Sequence, residues 1–199
     1  MRIIAGAYKG RILRTASGPG YRPAMGKVRE SIFSLLESRG AVWSDMSVLD
    51  LFAGSGSLGF EALSRGARRA VFVEQDAAAA KCLAGNIASL GVGDKAALVT
   101  SDAVAYAGRG TPESFDAVFI DPPYALDLLP VTLRALLRKG RLNPGAFIIA
   151  EVERHFQGKT DGFAGLTLEL DRLYGQTRII VWIADEDQSG GIADDGGAL

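Results

Sequence analysis

Between Ser47 and Glu151 the chain alternates short apolar runs with helix-length amphipathic ones, and that alternation restricts its possible folds more than any other feature. Ser47–Phe52 reads as a strand and Ser57–Arg65 as a helix. Ala70–Glu74 is a second strand, followed by a helix over Ala77–Leu90 that Gly91 closes. Ala97–Thr100 is a shorter strand, Ala103–Ala107 a weak helix and Ala117–Ile120 a strand. A helix over Leu126–Lys139, ended near Gly140, precedes a strand at Ala146–Glu151. Continuously apolar strands separated by helices imply a mostly parallel sheet covered on both faces. The end departs from that rhythm: Leu166–Leu170 and Thr177–Ile183, joined through Tyr174-Gly175, predict an antiparallel hairpin.

The flanks differ from this body. Arg2 to Leu13 reads as two short strands around Gly6 and Gly10, a small basic hairpin, and Ser17–Gly20 as a loop. Val28, Ile32, Leu35 and Leu36 recur at helical spacing from Gly26 to Ser38. Beyond Ala184 the Asp/Gly-rich sequence has almost no apolar anchor and is expected to be disordered. The expected organisation is a basic segment at 1–20, one α/β domain at 21–184 and an acidic tail at 185–199. Residues 1–30 carry seven bases against Glu30 alone, whereas the tail carries five acids and no base. That asymmetry suggests a polyanionic partner for the basic end.

Composition removes several classes. The single Cys82 excludes an internal disulfide and agrees with a reducing cytoplasm; one Cys and one His (His155) argue against a metal site. No run approaches the roughly 20 apolar residues of a membrane helix, and Met1–Gly6 has no apolar leader. His155 reads as a surface helix residue, Cys82 as packed on its helix, and Trp43 and Trp182 as core residues rather than base platforms.

Asp50 to Gly59 runs from a strand through a glycine turn into a helix, and Gly54-Ser55-Gly56-Ser57-Leu58-Gly59 satisfies G-x-G-x-x-G. That pattern alone also fits a dinucleotide fold. Asp50, just before the loop, would repel a pyrophosphate but could accept from an ammonium group. Glu74 ends the next strand and could take both hydroxyls of a ribose; Asp102, after the third, could meet an adenine amino group. A cationic nucleoside without phosphates matches these acids, and S-adenosylmethionine is one.

The second motif is Asp121-Pro122-Pro123-Tyr124, closing the apolar run that starts at Phe115. The prolines stop the strand and withhold backbone donors. One carboxylate, exposed carbonyls and a flat ring remain, a set suited to a planar, amine-bearing group. On this reading Asp121 and the Pro122 carbonyl accept the amine protons, and Tyr124 stacks on the base.

With both motifs read, the chain resembles the class I, Rossmann-like methyltransferases, and among them the guanine-N2 methyltransferases of bacterial 16S ribosomal RNA. The likeness runs from Arg2 to about Ile183. It includes Arg2–Gly6, Arg22–Phe33, Asp50–Gly59 with Glu61–Gly66, Asp121–Tyr124 and Tyr174–Thr177. It implies a seven-stranded sheet with its last strand antiparallel, S-adenosylmethionine as methyl donor and S-adenosylhomocysteine as product. It also implies a cytoplasmic, monomeric enzyme acting on 16S rRNA or an assembling 30S particle. The implied cofactor residues are Asp50, Phe52, Ala53, Gly54, Ser55, Gly56, Glu74, Gln75, Asp102, Ala103 and Asp121, with Arg22 and Glu30 from the helix entry. Arg2, Tyr8, Lys9, Arg11, Arg14 and Arg29 are the candidate RNA contacts. Ala24 and Gly26 stand where the family usually has a hydroxyl and an acidic or polar residue, which removes polar side-chain contacts there.

Four other readings compete. A DNA amino-methyltransferase would share the tetrapeptide but usually adds a recognition region that this length lacks. A protein glutamine methyltransferase usually shows Asn at position 121. A nicotinamide-dependent oxidoreductase leaves Asp50 and Asp121–Tyr124 without a purpose. A pure RNA-binding module requires a degenerate cofactor pocket, and nothing in these motifs is degenerate.

Overall fold

A computed structural model describes residues 1–15, 25–123 and 128–186 of the chain. The strands are β1 (Ser47–Leu51), β2 (Arg69–Glu74), β3 (Ala96–Thr100), β4 (Phe115–Ile120), β5 (Leu142–Glu153), β6 (Leu166–Tyr174) and β7 (Thr177–Ala184). The helices are α1 (Met25–Ser38), α2 (Ser57–Ser64), α3 (Ala77–Leu90), α4 (Ala103–Ala107) and α5 (Leu128–Arg138). One sheet holds all seven strands in the order β3-β2-β1-β4-β5-β7-β6. β1 to β5 run parallel, and β7 is antiparallel to both β5 and β6. This is the Rossmann-like sheet with an antiparallel last strand. The chain steps outward from β1 to β3 and then returns to β4, so the winding reverses between β1 and β4. In open α/β sheets, ligands bind at the carboxyl ends of the strands flanking that reversal.

Side-chain alternation divides the core into two layers. Val48, Ala70, Phe72, Ala117, Phe119, Phe147 and Ile149 face α1, α2 and α3, where Phe33 packs 5.6 Å from Phe119 and 5.1 Å from Trp43 between ring centres. Leu49, Leu51, Val71, Val73, Val118, Ile120 and Ile148 face the other way, against Tyr106 and Leu133 from α4 and α5. Burial on both faces is why these strands are apolar on both of their faces except at a few acids and strand ends such as Asp50 and Asp116. Trp182 is fully buried and donates Nε1–H to the Thr160 carbonyl, a packing role like that of Trp43. Cys82 is half-buried on α3.

Several expectations change. The N-terminal hairpin is shorter than expected, reduced to one antiparallel bridge, Arg2 to Ile12, flanked by Ile3 N–H to the Arg11 carbonyl and Leu13 N–H to the Met1 carbonyl. The Ile4, Ala5, Ala7 and Tyr8 donors turn to α2. Glu61, fully buried, accepts from the Ile4 and Ala5 amides at 2.8 and 3.0 Å, and Ser64 accepts from Ala7 and Tyr8. Gly6 (φ +80°) approaches so closely that a Cβ there would lie 1.8 Å from the Ser64 carbonyl oxygen. β5 begins at Leu142 rather than Ala146, because a register shift between Phe115 and Ala117 lets the strand pass through Pro144 and Gly145. β6 runs on to Tyr174 through charged residues that suit an exposed edge. His155 is exposed in a turn after β5, where Phe156 N–H bonds the Glu153 carbonyl, and not on a helix. The expected tail lies outside the described residues except Asp185 and Glu186.

Arg29 is corrected from a surface RNA contact to a buried clamp. It is 5% exposed, its guanidinium lies 3.7 Å from Glu61, and it donates to the Arg2 carbonyl at 2.6 Å. Replacing Glu61 by Ala removes the negative partner of Arg29 and the acceptor of two buried amides. We expect a loss of about 3 kcal/mol in urea unfolding, with Glu61→Gln losing less; an unchanged midpoint for Glu61→Ala would contradict the clamp.

Candidate active site

The alternation that builds the core also aligns acids at the carboxyl edge of the sheet. Asp50 follows Val48, Glu74 follows Phe72, Asp121 follows Phe119 and Glu151 follows Ile149, each two residues along its strand. With a side-chain period of two, all four belong to the face covered by α1 to α3. β1 and β4, the strands at the winding reversal, supply two of them.

Between β1 and α2 the chain turns sharply. Phe52 takes φ +59°, among the described residues the one non-glycine in that region, and Gly54 and Gly56 follow at +54° and +79°. Such a conformation costs a non-glycine residue about 1 kcal/mol and persists only where its surroundings enforce it. Here the Ala53 N–H bonds the Val73 carbonyl and the Gly56 N–H the Ala53 carbonyl, so the loop is held on both sides. Gly59 has a packing role: a Cβ there would sit 2.3 Å from the Phe72 ring.

Asp50 is 2% exposed and accepts the Gly59 N–H at 2.9 Å, tying β1 to α2 beneath the loop. Burial raises its carboxyl to about 7; the Gly59 bond works against this and the Glu74 charge adds to it. Glu74 receives Gly54 N–H on one oxygen at 2.7 Å and Asp76 N–H on the other at 2.8 Å. Each carboxylate oxygen has two acceptor sites, so one direction per oxygen remains for ribose hydroxyls. Asp121 has its carboxyl pushed well above the usual range, first by burial and then by the charges of Glu151 and Asp50.

A cavity of about 330 Å³ opens beside these groups, lined by Phe52, Glu74, Gln75, Ala103, Asp121 and Pro123 together with Val73, Asp76 and Ser101. Six sequence candidates therefore converge on one space. Asp102 stands at its margin and N-caps α4 through the Ala105 amide at 2.7 Å. Ala53 is buried in the turn, and the Ser55 carbonyl accepts from Asn86. Glu30 is exposed on α1. Arg22 and Tyr124 lie outside the described residues. Sequence reasoning passed over Glu151, which it read only as a strand end, and Asn86, whose buried amide joins the N-terminal segment to the loop.

S-adenosylmethionine fits this cavity on chemistry the residues themselves supply. Phe52, Val73, Ala103 and Pro123 offer apolar walls for a purine, Glu74 offers acceptors for the ribose, and the acid cluster complements a cation. The same negative charge rejects a pyrophosphate, which excludes the dinucleotide reading of the glycine loop. When bound, the cofactor supplies an electrophilic methyl group. Among the described residues no group of three or more His, Cys, Asp or Glu is arranged to hold a metal ion.

Asp50 titrates near 3.8 when unfolded and near 7 in the fold, so the folded chain holds an extra proton between those values. Its stabilising contribution is complete below about pH 4 and is lost as pH rises through about 7. Asp50→Asn keeps an acceptor for Gly59 without the charge. We expect it to stabilise the cofactor-free protein by up to about 4 kcal/mol at pH 8 and by much less at pH 5. A gain independent of pH would contradict the titration assigned to Asp50.

Residues 1–183 match a family model described as conserved hypothetical protein 95. The chain is 34% identical to "Putative rRNA methyltransferase YlbH" of Bacillus subtilis, across 92% of this chain and 98% of that protein. It is 42% identical to ribosomal RNA small subunit methyltransferase D of Escherichia coli over 154 residues, 77% of this chain and 75% of that one. The solved structure titled "Putative methyltransferase yhhF" from Escherichia coli superposes with a TM-score of 0.81 at 35% identity, covering 94% and 99% of the two chains. With its sheet order, glycine loop and acid-lined cavity, the chain belongs to this family of S-adenosylmethionine-dependent methyltransferases, whose members include ribosomal RNA small subunit methyltransferase D.

Proposed function

We propose that this rRNA methyltransferase moves the methyl group of S-adenosylmethionine to the exocyclic N2 amine of one guanine in 16S rRNA, free or in an assembling 30S particle. The observation that carries the reading is Asp121 and Pro123 lining the same cavity as Phe52 and Glu74, at the carboxyl end of β4. A methyl donor and an amine acceptor then meet at one sheet edge.

The guanine amine is a weak nucleophile because its lone pair is delocalised into the ring. Asp121 and the Pro122 carbonyl accept its two N–H protons and turn the lone pair toward the methyl carbon. Tyr124 stacks on the base. The new N–C bond forms as the C–S bond breaks, the pair from that bond stays on sulfur, and the surplus amine proton leaves through Asp121. Catalysis is mainly orientation and electrostatics. The target base must leave its stack to reach this edge, most easily from a loop or bulge. We further propose that residues 1–20 grip the RNA backbone, that 21–184 form the catalytic unit, and that the enzyme acts as a cytoplasmic monomer. Supporting the grip, Arg2, Lys9, Arg11 and Arg14 are exposed, whereas Tyr8 is half-buried against the core.

The test is transfer of labelled methyl groups onto 30S particles, free 16S rRNA and DNA, followed by nucleoside analysis. Label in N2-methylguanosine is the expected result; label confined to DNA or protein would overturn the reading. Asp121→Ala should reduce transfer by at least about 100-fold while calorimetric cofactor affinity stays within a few-fold. Asp121 can take the surplus amine proton only when ionised, so kcat/KM should fall as pH drops through its raised pKa, a limb well above the usual carboxylate range near 4. An acid limb near 4 would remove Asp121 from that role.

The grip has its own test in salt. Replacing Lys9, Arg11 and Arg14 together by Gln should flatten the dependence of log K on log salt by about 2 and leave cofactor affinity untouched. An unchanged slope would assign the RNA contact to another surface.

A further inference from the structure

Glu151 takes no part in the steps above, yet its position on the sheet is that of a second acceptor for the target base. β4 pairs with β5 in parallel, and the last matched pair is Ile120 with Ala150. Asp121 and Glu151 are the next residue on each strand, on neighbouring strands about 4.8 Å apart. Both follow the parity of Phe119 and Ile149, so both belong to the α1 to α3 face. Beyond that pair the strands diverge. The β4 chain leaves through Pro122 and Pro123, while β5 continues to Glu153, held by β7 through Glu151–Ile179, Val152–Arg178 and Glu153–Thr177. Glu151 thus stands on a braced overhang, one strand from Asp121 and on the side away from β1 and the glycine loop. It is 9% exposed, and its charge acts on Asp121.

Resting on the guanine-N2 reading, we infer that Glu151 is a specificity-determining residue that accepts the N1–H of the target guanine while Asp121 accepts from the adjacent N2 amine. Guanine presents two neighbouring donors on that edge, N1–H and N2–H, which two carboxylates on adjacent strands match. Adenine and cytosine also carry an exocyclic amine, but the ring nitrogen beside it is an acceptor, and its lone pair would face the Glu151 carboxylate. Two acceptors opposed across a buried contact discriminate strongly against the wrong base. The charge of Glu151 already acts on Asp121, and a base offering a donor to each acid offsets that repulsion. The pairing therefore selects guanine by its N1–H as well as by its amine.

The test uses the full-length enzyme and a 16S rRNA, assembled by ligation, that carries guanine, 2-aminopurine or 1-methylguanine at the methylated position once nucleoside mapping has located it. 2-Aminopurine keeps the amine but has an acceptor at N1. Wild-type enzyme should methylate it about 100-fold less efficiently than guanine and should not methylate 1-methylguanine. Glu151→Gln, which can donate to an N1 lone pair, should lose about 10- to 100-fold in kcat/KM on guanine and raise the 2-aminopurine to guanine ratio at least about tenfold. Its cofactor affinity should match wild type and its thermal midpoint should not fall below it, a pattern that a purely structural role would not produce. Wild-type transfer to 2-aminopurine at the guanine rate would overturn the proposal whether or not the variant folds. So would an unchanged ratio in a folded Glu151→Gln. If wild type makes no N2-methylguanosine at all, the guanine-N2 reading itself has failed, and that outcome is visible before any analogue is tried.

Discussion

The bond from Gly59 N–H to the buried Asp50 carboxylate is the constraint on which the site is built. It fixes the start of α2 against β1, and with Gly59 in contact distance of Phe72 it brings that helix closer to β2 than any side chain would permit. The glycine turn between β1 and α2 then has both ends pinned, which sustains the left-handed Phe52. Two residues further along α2, Glu61 reaches the N-terminal segment and Arg29. Loop, helix and N-terminal segment therefore inherit their positions from one internal hydrogen bond.

The charge that makes this bond is expensive, and the chain tolerates it for a reason. Asp50 and Asp121 both hold their protons more tightly than exposed carboxyls, largely through burial and partly through neighbouring acids. An edge in that condition favours whatever brings positive charge or hydrogen-bond donors to it. The methyl donor brings the first and, on the proposed reading, the target amine the second. The exposed bases of the N-terminal segment lie outside this cluster, so attraction for a polyanion and attraction for a cationic cofactor are kept apart.

Much of this was legible in the residues. α3 and α4 fall on the expected bounds because Asp76 and Asp102 cap their starts and Gly91 closes α3, local signals that tertiary packing does not alter. The mostly parallel sheet with its antiparallel end followed from alternation, and five of the expected cofactor residues, with Pro123 of the second motif, meet at one cavity. What failed to read were features decided by distant partners. Pro144 and Gly145 look like a break, yet the bulge opposite Phe115 carries the strand through them. The N-terminal segment looks like a longer hairpin, but it pairs through one bridge, and Ile4, Ala5, Ala7 and Tyr8 donate to Glu61 and Ser64, more than fifty residues away. Arg29 looks like a surface base because charge predicts exposure, and nothing nearby in sequence announces the buried carboxylate that receives it. Glu151 was hidden for a different reason. Its meaning lies in the register between β4 and β5, which no single strand displays.

The same long-range bonds bear on how recognition and chemistry are joined. Asn86, fully buried on α3, donates to the Ser55 carbonyl in the glycine loop and to the Arg14 carbonyl, and it accepts the Arg14 N–H at 2.8 Å. Arg14 is one of the exposed bases proposed to meet the RNA, and a single amide spans its segment and the glycine loop. On α2, Glu61 and Ser64 make the second attachment of that segment. Two buried polar anchors on two adjacent helices leave little freedom for the segment to shift relative to the loop. A mobile arm would be free to search the RNA surface independently of the cofactor pocket. A segment bonded in this way presents its bases at a fixed distance from the cavity, so on the proposed reading the shape of the RNA decides which nucleotide arrives there.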